Sequence, residues 1–141
     1  MISKLLEQVL DTAQVERASG FNKSFDLLNQ ILQQYGEENI AERLYKDIPK
    51  EYSWELEADI LGILIWSTSD NGHSIIQTIE RWLLEQESLR KMQIALHLGI
   101  YPFNTFSQMK KVLTDISLKF PEVANQCHIL VKSRKNFKEK E

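Results

Sequence analysis

Residues 53–72 read SWELEADILGILIWSTSDNG, and the fold follows from how this stretch must be buried. Ser53 is a favoured N-cap, because its hydroxyl can accept a first-turn N–H that has no partner inside a helix. Glu55, Glu57 and Asp59 follow where the positive end of the helix dipole favours carboxylates. From Ile60 to Trp66 every position except Gly62 is apolar, and a helix apolar on nearly all sides is a buried one. At ~100° per residue, Glu55, Asp59, Gly62 and Trp66 share the one remaining face. Ser67 to Gly72 then end the helix with turn-forming residues. The spacing predicts a central helix over 54–67 with the rest of the chain packed around it.

The flanking sequence carries the same helical period. Upstream, Ile2, Leu5, Leu6, Val9, Leu10 and Ala13 make one apolar stripe. Phe25, Leu28, Ile31, Leu32 and Tyr35 make a second, expected to face inward and to stop at Gly36. Ile40, Ala41, Leu44 and Tyr45 make a short third helix that Pro49 ends. Downstream, Ile75, Ile76, Ile79, Trp82 and Leu83 predict a fifth helix, and Ser88 to Leu98 a sixth, closed by Gly99. The apolar connection 100–103 is expected to pack down. Phe106 to Phe120 predicts a seventh helix, and Pro121 opens an eighth that carries Val123, Ala124, Cys127, Leu130 and Val131.

No segment alternates with period two. The expected fold is all-α, with seven to eight helices in one compact domain over 1–131 and a basic, frayed tail over 132–141. Leu61, Leu64, Ile79, Trp82 and Leu96, with Trp54 or Trp66, form the expected core.

An echo runs through the chain at an offset of 37 residues. Ala58, Leu61, Gly62 and Ile63 match Ala95, Leu98, Gly99 and Ile100, Trp66 meets Phe103, and Ile75, Ile76 and Ile79 meet Val112, Leu113 and Ile116. Read as a repeat, this is a short stack of antiparallel helix pairs in the manner of HEAT units, whose usual period is about 40–47 residues. Read plainly, it is what two amphipathic helix pairs give once the offset is free.

A hydrophobic content of 43% with 26% charged residues is that of an ordinary water-exposed globule. Cys127 stands alone, which rules out an intrachain disulfide and suits a reducing compartment. The N-terminal run lacks a signal peptide's apolar core, and no run reaches the ~18 apolar residues of a membrane span. A cytoplasmic protein with no membrane association is expected.

The net charge of −3 is unevenly spread. Between residues 37 and 59 eight acids meet three bases, a local charge of −5; between 132 and 141 five bases meet two acids, giving +3. Such an acidic segment repels nucleic acid and attracts basic proteins, so no direct nucleic-acid binding is expected.

Catalytic patterns are missing. There is no nucleophile elbow, phosphate-binding loop or glycine-rich dinucleotide turn. His73, His97 and His128 are scattered, and zinc needs three or four converging ligands. Cys127 reads as a buried structural thiol, its sole charged neighbour in sequence being His128. The chain is therefore expected to be no enzyme and to use no cofactor, metal or catalytic residue.

What remains is surface. Glu55, Asp59 and Trp66 on one face, with Gly62 opening a gap, make a protein-binding strip. Otherwise Gly62 lets a neighbouring helix approach and Trp66 is core. Glu38, Glu42 and Glu51 extend the acidic side of that strip; the helix ends and turns around Asp70 and His73 are the other place for the interface.

The acidic lead into a Leu/Ile/Trp-rich helix, the STSDNG turn at 67–72 and the continuation IERWLLEQESLRKMQIALHLGIYPF at 79–103 resemble small all-α immunity proteins of bacterial contact-dependent and polymorphic toxin systems. The resemblance covers roughly residues 51–103 and rests on no diagnostic motif. It implies a cytoplasmic protein that binds the toxic domain of a large secreted effector, often a basic nuclease, and blocks it; a monomer or a 1:1 heterodimer with that partner is expected. The other reading is a helical-repeat adaptor that holds a partner peptide or domain.

Overall fold

A computed structural model of the chain describes residues 3–139. Ile2, expected in the first apolar stripe, and the last two tail residues lie outside the described residues. Among the described residues there are eight helices, α1 (Lys4–Glu16), α2 (Asn22–Tyr35), α3 (Ile40–Asp47), α4 (Trp54–Ile65), α5 (His73–Glu85), α6 (Leu89–Ala95), α7 (Phe106–Lys119) and α8 (Pro121–Glu139). No strand occurs among the described residues. The fold is all-α, as the period of the sequence dictates. Packing divides the chain into two units, residues 1–78 and 79–141, with the division inside α5.

In the first unit α1 packs on α2, and both touch α4. Ser3 caps α1 by accepting the Leu6 N–H at 3.1 Å, and Ser53 caps α4 by accepting that of Leu56 at 3.2 Å. Such a cap stabilises a helix by about 1 kcal/mol. The start of α2 is capped from outside instead. Glu16, the last residue of α1, accepts the N–H groups of Lys23 and Ser24 and the Ser24 hydroxyl. That capture turns Ser24 inward, so the buried stripe of α2 is Ser24, Leu28 and Ile31. Phe25, expected inward, lies about 100° further round and is 46% exposed.

Helix α4 buries Leu56, Ala58, Ile60, Leu61, Leu64 and Ile65. It ends at Ile65, two residues before its expected limit. Trp66 is its C-cap and is 80% exposed, so its alternative as a core residue is overturned. Its position explains this: it shares the outer face with Glu55, Asp59 and Gly62. Glu57, by contrast, is buried, although the acids of this stretch are expected on the surface. Positions 57, 61 and 64 follow the i, i+4, i+7 rule, which sets Glu57 on the Leu61–Leu64 stripe. Lys50 Nζ lies 3.8 Å from its carboxylate.

In the second unit α7 and α8 form a hairpin joined through Phe120 alone. Ile79, Trp82, Leu96, Leu113, Ile116 and Cys127 are buried here. The connection after α6 is clamped down, with Pro102 and Phe103 buried. Glu80 accepts the Phe103 N–H at 2.5 Å, and Arg134 donates to the Pro102, Phe103 and Asn104 carbonyls at 3.0–3.1 Å. Helix α8 crosses position 131 without a break, so the basic run is helical as far as Glu139.

The 37-residue echo persists in conformation only in part: Ala58 and Ala95, Leu61 and Leu98, and Ile79 and Ile116 are buried alike, but the pairs around the glycines differ. Gly62 lies inside the 12-residue α4, whereas Gly99 has φ +75° beyond a 7-residue α6. Trp66 is exposed while its counterpart Phe103 is buried.

Candidate interaction surface

The candidate residues all belong to the first unit. That unit carries thirteen acids against six bases, a net −7 for residues 1–78. Three of the six bases are engaged within it. Arg17 Nε donates to Asp59 Oδ2 at 2.6 Å, Lys50 faces Glu57, and Arg43 donates to the carbonyls of Tyr35, Gly36 and Glu38. An acidic surplus therefore stays on the surface.

The turn after α4 holds Trp66. Thr68 folds back, its N–H bonding the Leu64 carbonyl at 3.1 Å, and its Oγ1 accepts the Gly72 N–H at 2.7 Å. Asp70 accepts the N–H groups of Gly72 at 3.0 Å and Ser74 at 3.1 Å. Those bonds, the one from Ser74 foremost, hold its carboxyl below the ordinary aspartate value. Gly72 adopts φ +80°, and a Cβ there would stand 2.6 Å from Ile65 Cγ2 and 2.9 Å from the Ile65 carbonyl oxygen. Only glycine fits so close a return of the chain. A strut from outside completes the loop. Glu37 Oε1 accepts both the N–H and the hydroxyl of Ser69, each at 2.9 Å.

That strut brings the loop carrying Glu38 against the loop carrying Trp66 and Asp70. Glu51 and Glu55 lie at the other end of α4. Glu55 and Trp66 are eleven residues apart, which is ~16 Å of rise and ~20° of turn, so they share one face. Of the eight candidates, Glu38, Glu51 and His73 are exposed, Glu55 is half-buried and Trp66 is exposed. Neither Glu38, Glu51 nor Glu55 has a side-chain partner among the described residues.

Three candidates are occupied within the fold. Asp59 is paired to Arg17, and the Asp70 carboxylate builds the turn. Glu42 is half-buried and not free.

Sequence reasoning missed Glu37, the residue that fixes the loop, and the exposure of Val15 at 81% beside that of Phe25. The signal for Val15 was available, since it falls outside the stripe of Leu6, Val9, Leu10 and Ala13. Nothing in sequence marks Glu37 as different from Glu38.

The histidines do not converge with other ligands. His97 bonds its ring Nδ1 to the Gln93 carbonyl at 2.7 Å, and no group of three or more His, Cys, Asp or Glu among the described residues is placed to hold a metal ion. Cys127 is buried, and desolvation pushes its thiol up to about 11. No helix among the described residues is long and apolar enough to cross a membrane. No family model, curated protein or solved structure matches the chain.

Proposed function

We propose that this chain is an immunity-type binding protein that docks the acidic face of its first unit onto a basic toxin domain and occludes the active site. The observation that carries this reading is Trp66, an exposed indole on a loop braced by hydrogen bonds to Glu37, Thr68 and Asp70, on a face that also carries the unpaired Glu55 and, beside the loop, the unpaired Glu38. Tryptophan is enriched among the residues that dominate binding energy. A loop already ordered loses little entropy on docking, so more of the contact energy appears as affinity. Unpaired acids steer a basic partner towards the same face.

A nuclease cleft suits such a surface because it must be basic to hold phosphates. The resemblance to immunity proteins supplies the partner class. The complex is 1:1, forms in the cytoplasm, and needs no cofactor, membrane or nucleic acid. The adaptor reading leans on the internal echo, which conformation sustains only in part.

The test is co-expression with the toxic domain encoded beside this chain. Wild type should protect the cell and elute with that domain as a 1:1 complex. Glu38→Lys, Glu51→Lys and Glu55→Lys combined should keep the helix content and lose protection. Full protection by the triple variant, or no complex with the neighbouring domain, contradicts the reading.

A further inference from the structure

The second unit has the opposite electrostatics. Residues 79–141 carry eleven bases against seven acids, a net +4. Three of the lysines meet over one cleft between α7 and α8, with a volume of about 300 Å³. His128, Lys132 and Lys135 follow i, i+4, i+7 along α8 and so form one row. Lys110 faces that row from α7. No carboxylate lines the cleft. Lys110 and Lys132 have no acidic partner among the described residues, whereas Lys119 on the same hairpin is paired with Asp115 at 3.1 Å. Beneath the ammonium rim the floor is apolar, with Leu113 and Cys127 buried and Phe106 and Val131 half-buried. The Cys127 thiol stays neutral at physiological pH, because burial raises it to about 11, so it adds no charge to the floor.

We infer that the α7–α8 cleft binds an organic phosphate whose carbon part is aromatic or otherwise apolar. Like charges gathered on one face repel, and a multiply charged anion relieves that repulsion. Inorganic phosphate satisfies the rim and leaves the floor wet; a neutral apolar molecule covers the floor and leaves the lysines uncompensated. A ligand with both parts satisfies both. The volume matches the lower end of small-molecule sites.

Single-stranded nucleic acid shares the phosphate chemistry but fits less well. Proteins that track a strand offer successive aromatic platforms. Phe106 is the one aromatic side chain lining this cleft, and also the one lining the adjoining hollow where Ser107 and Lys111 continue the α7 face. This inference concerns the second unit and is independent of the proposed docking through the first.

The test is a titration of the full chain with 1-naphthyl phosphate, with 1-naphthol and inorganic phosphate as separate arms. Naphthyl phosphate should bind about tenfold or more tightly than either fragment, that is by at least 1.4 kcal/mol. Lys132→Glu and Lys135→Glu, both at exposed positions, should each weaken it about fivefold or more without moving the unfolding midpoint, and Lys119→Glu should leave it unchanged. Filling the floor with Val131→Trp should also weaken it, which separates cleft binding from general attraction to a basic unit.

Equal affinity for naphthol or for inorganic phosphate overturns the inference, as does indifference to Lys132→Glu and Lys135→Glu. So does absence of saturable binding below ~5 mM. A short single-stranded RNA that binds more tightly than naphthyl phosphate, and is weakened by Lys111→Glu, overturns it in favour of a nucleic-acid surface.

Discussion

Glu37 holds Ser69 by two hydrogen bonds to a single carboxylate oxygen, at 2.9 Å from the backbone nitrogen and 2.9 Å from the hydroxyl. The bond joins the α2–α3 loop to the loop that presents Trp66. Removing it leaves every proposed contact residue in place and loosens only their arrangement. Glu37→Ala should therefore cost the fold about 1 kcal/mol or less and weaken partner binding by more than that. Paired measurements of unfolding and of affinity decide it. Equal losses in both would make Glu37 a stability residue alone.

Gly72 tests how tightly the same loop is built. In Gly72→Ala the left-handed backbone alone costs about 1–3 kcal/mol. The added Cβ also meets the Ile65 backbone, which cannot rotate away. Gly20 is the control, at φ +96° with nothing within 4 Å of where a Cβ would stand. Urea unfolding should show Gly72→Ala clearly less stable than Gly20→Ala. Equal losses would mean that the loop yields to the methyl.

Acid should loosen the turn between α1 and α2. The Ser24 hydroxyl, with the Ser24 and Lys23 N–H groups, holds the Glu16 carboxyl below the ordinary value of 4.5. A carboxyl depressed by folding stabilises the fold fully above its unfolded pKa, and loses that contribution as pH falls through its folded pKa. Glu16→Gln lacks this contribution. It should be less stable than wild type at neutral pH, and the gap should close as pH drops below about 4.5. Asp70 and Asp115 are also depressed, by hydrogen bonds from Ser74 and Gln86 foremost, but they titrate in both proteins and cancel in the comparison. A gap in unfolding midpoint that ignores pH would contradict the assignment.

The central helix should behave as core. Leu61 and Leu64 are 3% and 0% exposed. Truncating either to alanine should cost ~2–5 kcal/mol, read by denaturant unfolding. A loss below about 0.5 kcal/mol for both would remove α4 from the core.

The helices were legible because their apolar period is strong and their ends carry readable signals, as at Ser53 and Pro121. The errors fall where a polar side chain does something that its type does not announce. Ser24 is buried because Glu16 captures it, and that pulls the face of α2 away from Phe25. Glu57 resembles its acidic neighbours in type, although its spacing to Leu61 and Leu64 sets it inward. On the candidate surface, the shared face of Glu55 and Trp66 follows from helical geometry and could be read directly. The pairing of Asp59 with Arg17 spans 42 residues and could not, because nothing local in either segment encodes it. The same holds for the strut from Glu37 to Ser69.

If Trp66 anchors the partner, dissociation of the complex must depend on it. The indole is 80% exposed, so Trp66→Ala should change folding stability by no more than ~0.5 kcal/mol. As an anchor it should be worth at least ~2 kcal/mol of binding, about a 30-fold loss of affinity. Most of that loss should appear as faster release. The measurement is the dissociation rate of wild type and Trp66→Ala from the neighbouring toxin domain. Release should be at least about 20-fold faster for the variant, with an unchanged unfolding midpoint. A stable Trp66→Ala protein that leaves the toxin domain at the wild-type rate would contradict it.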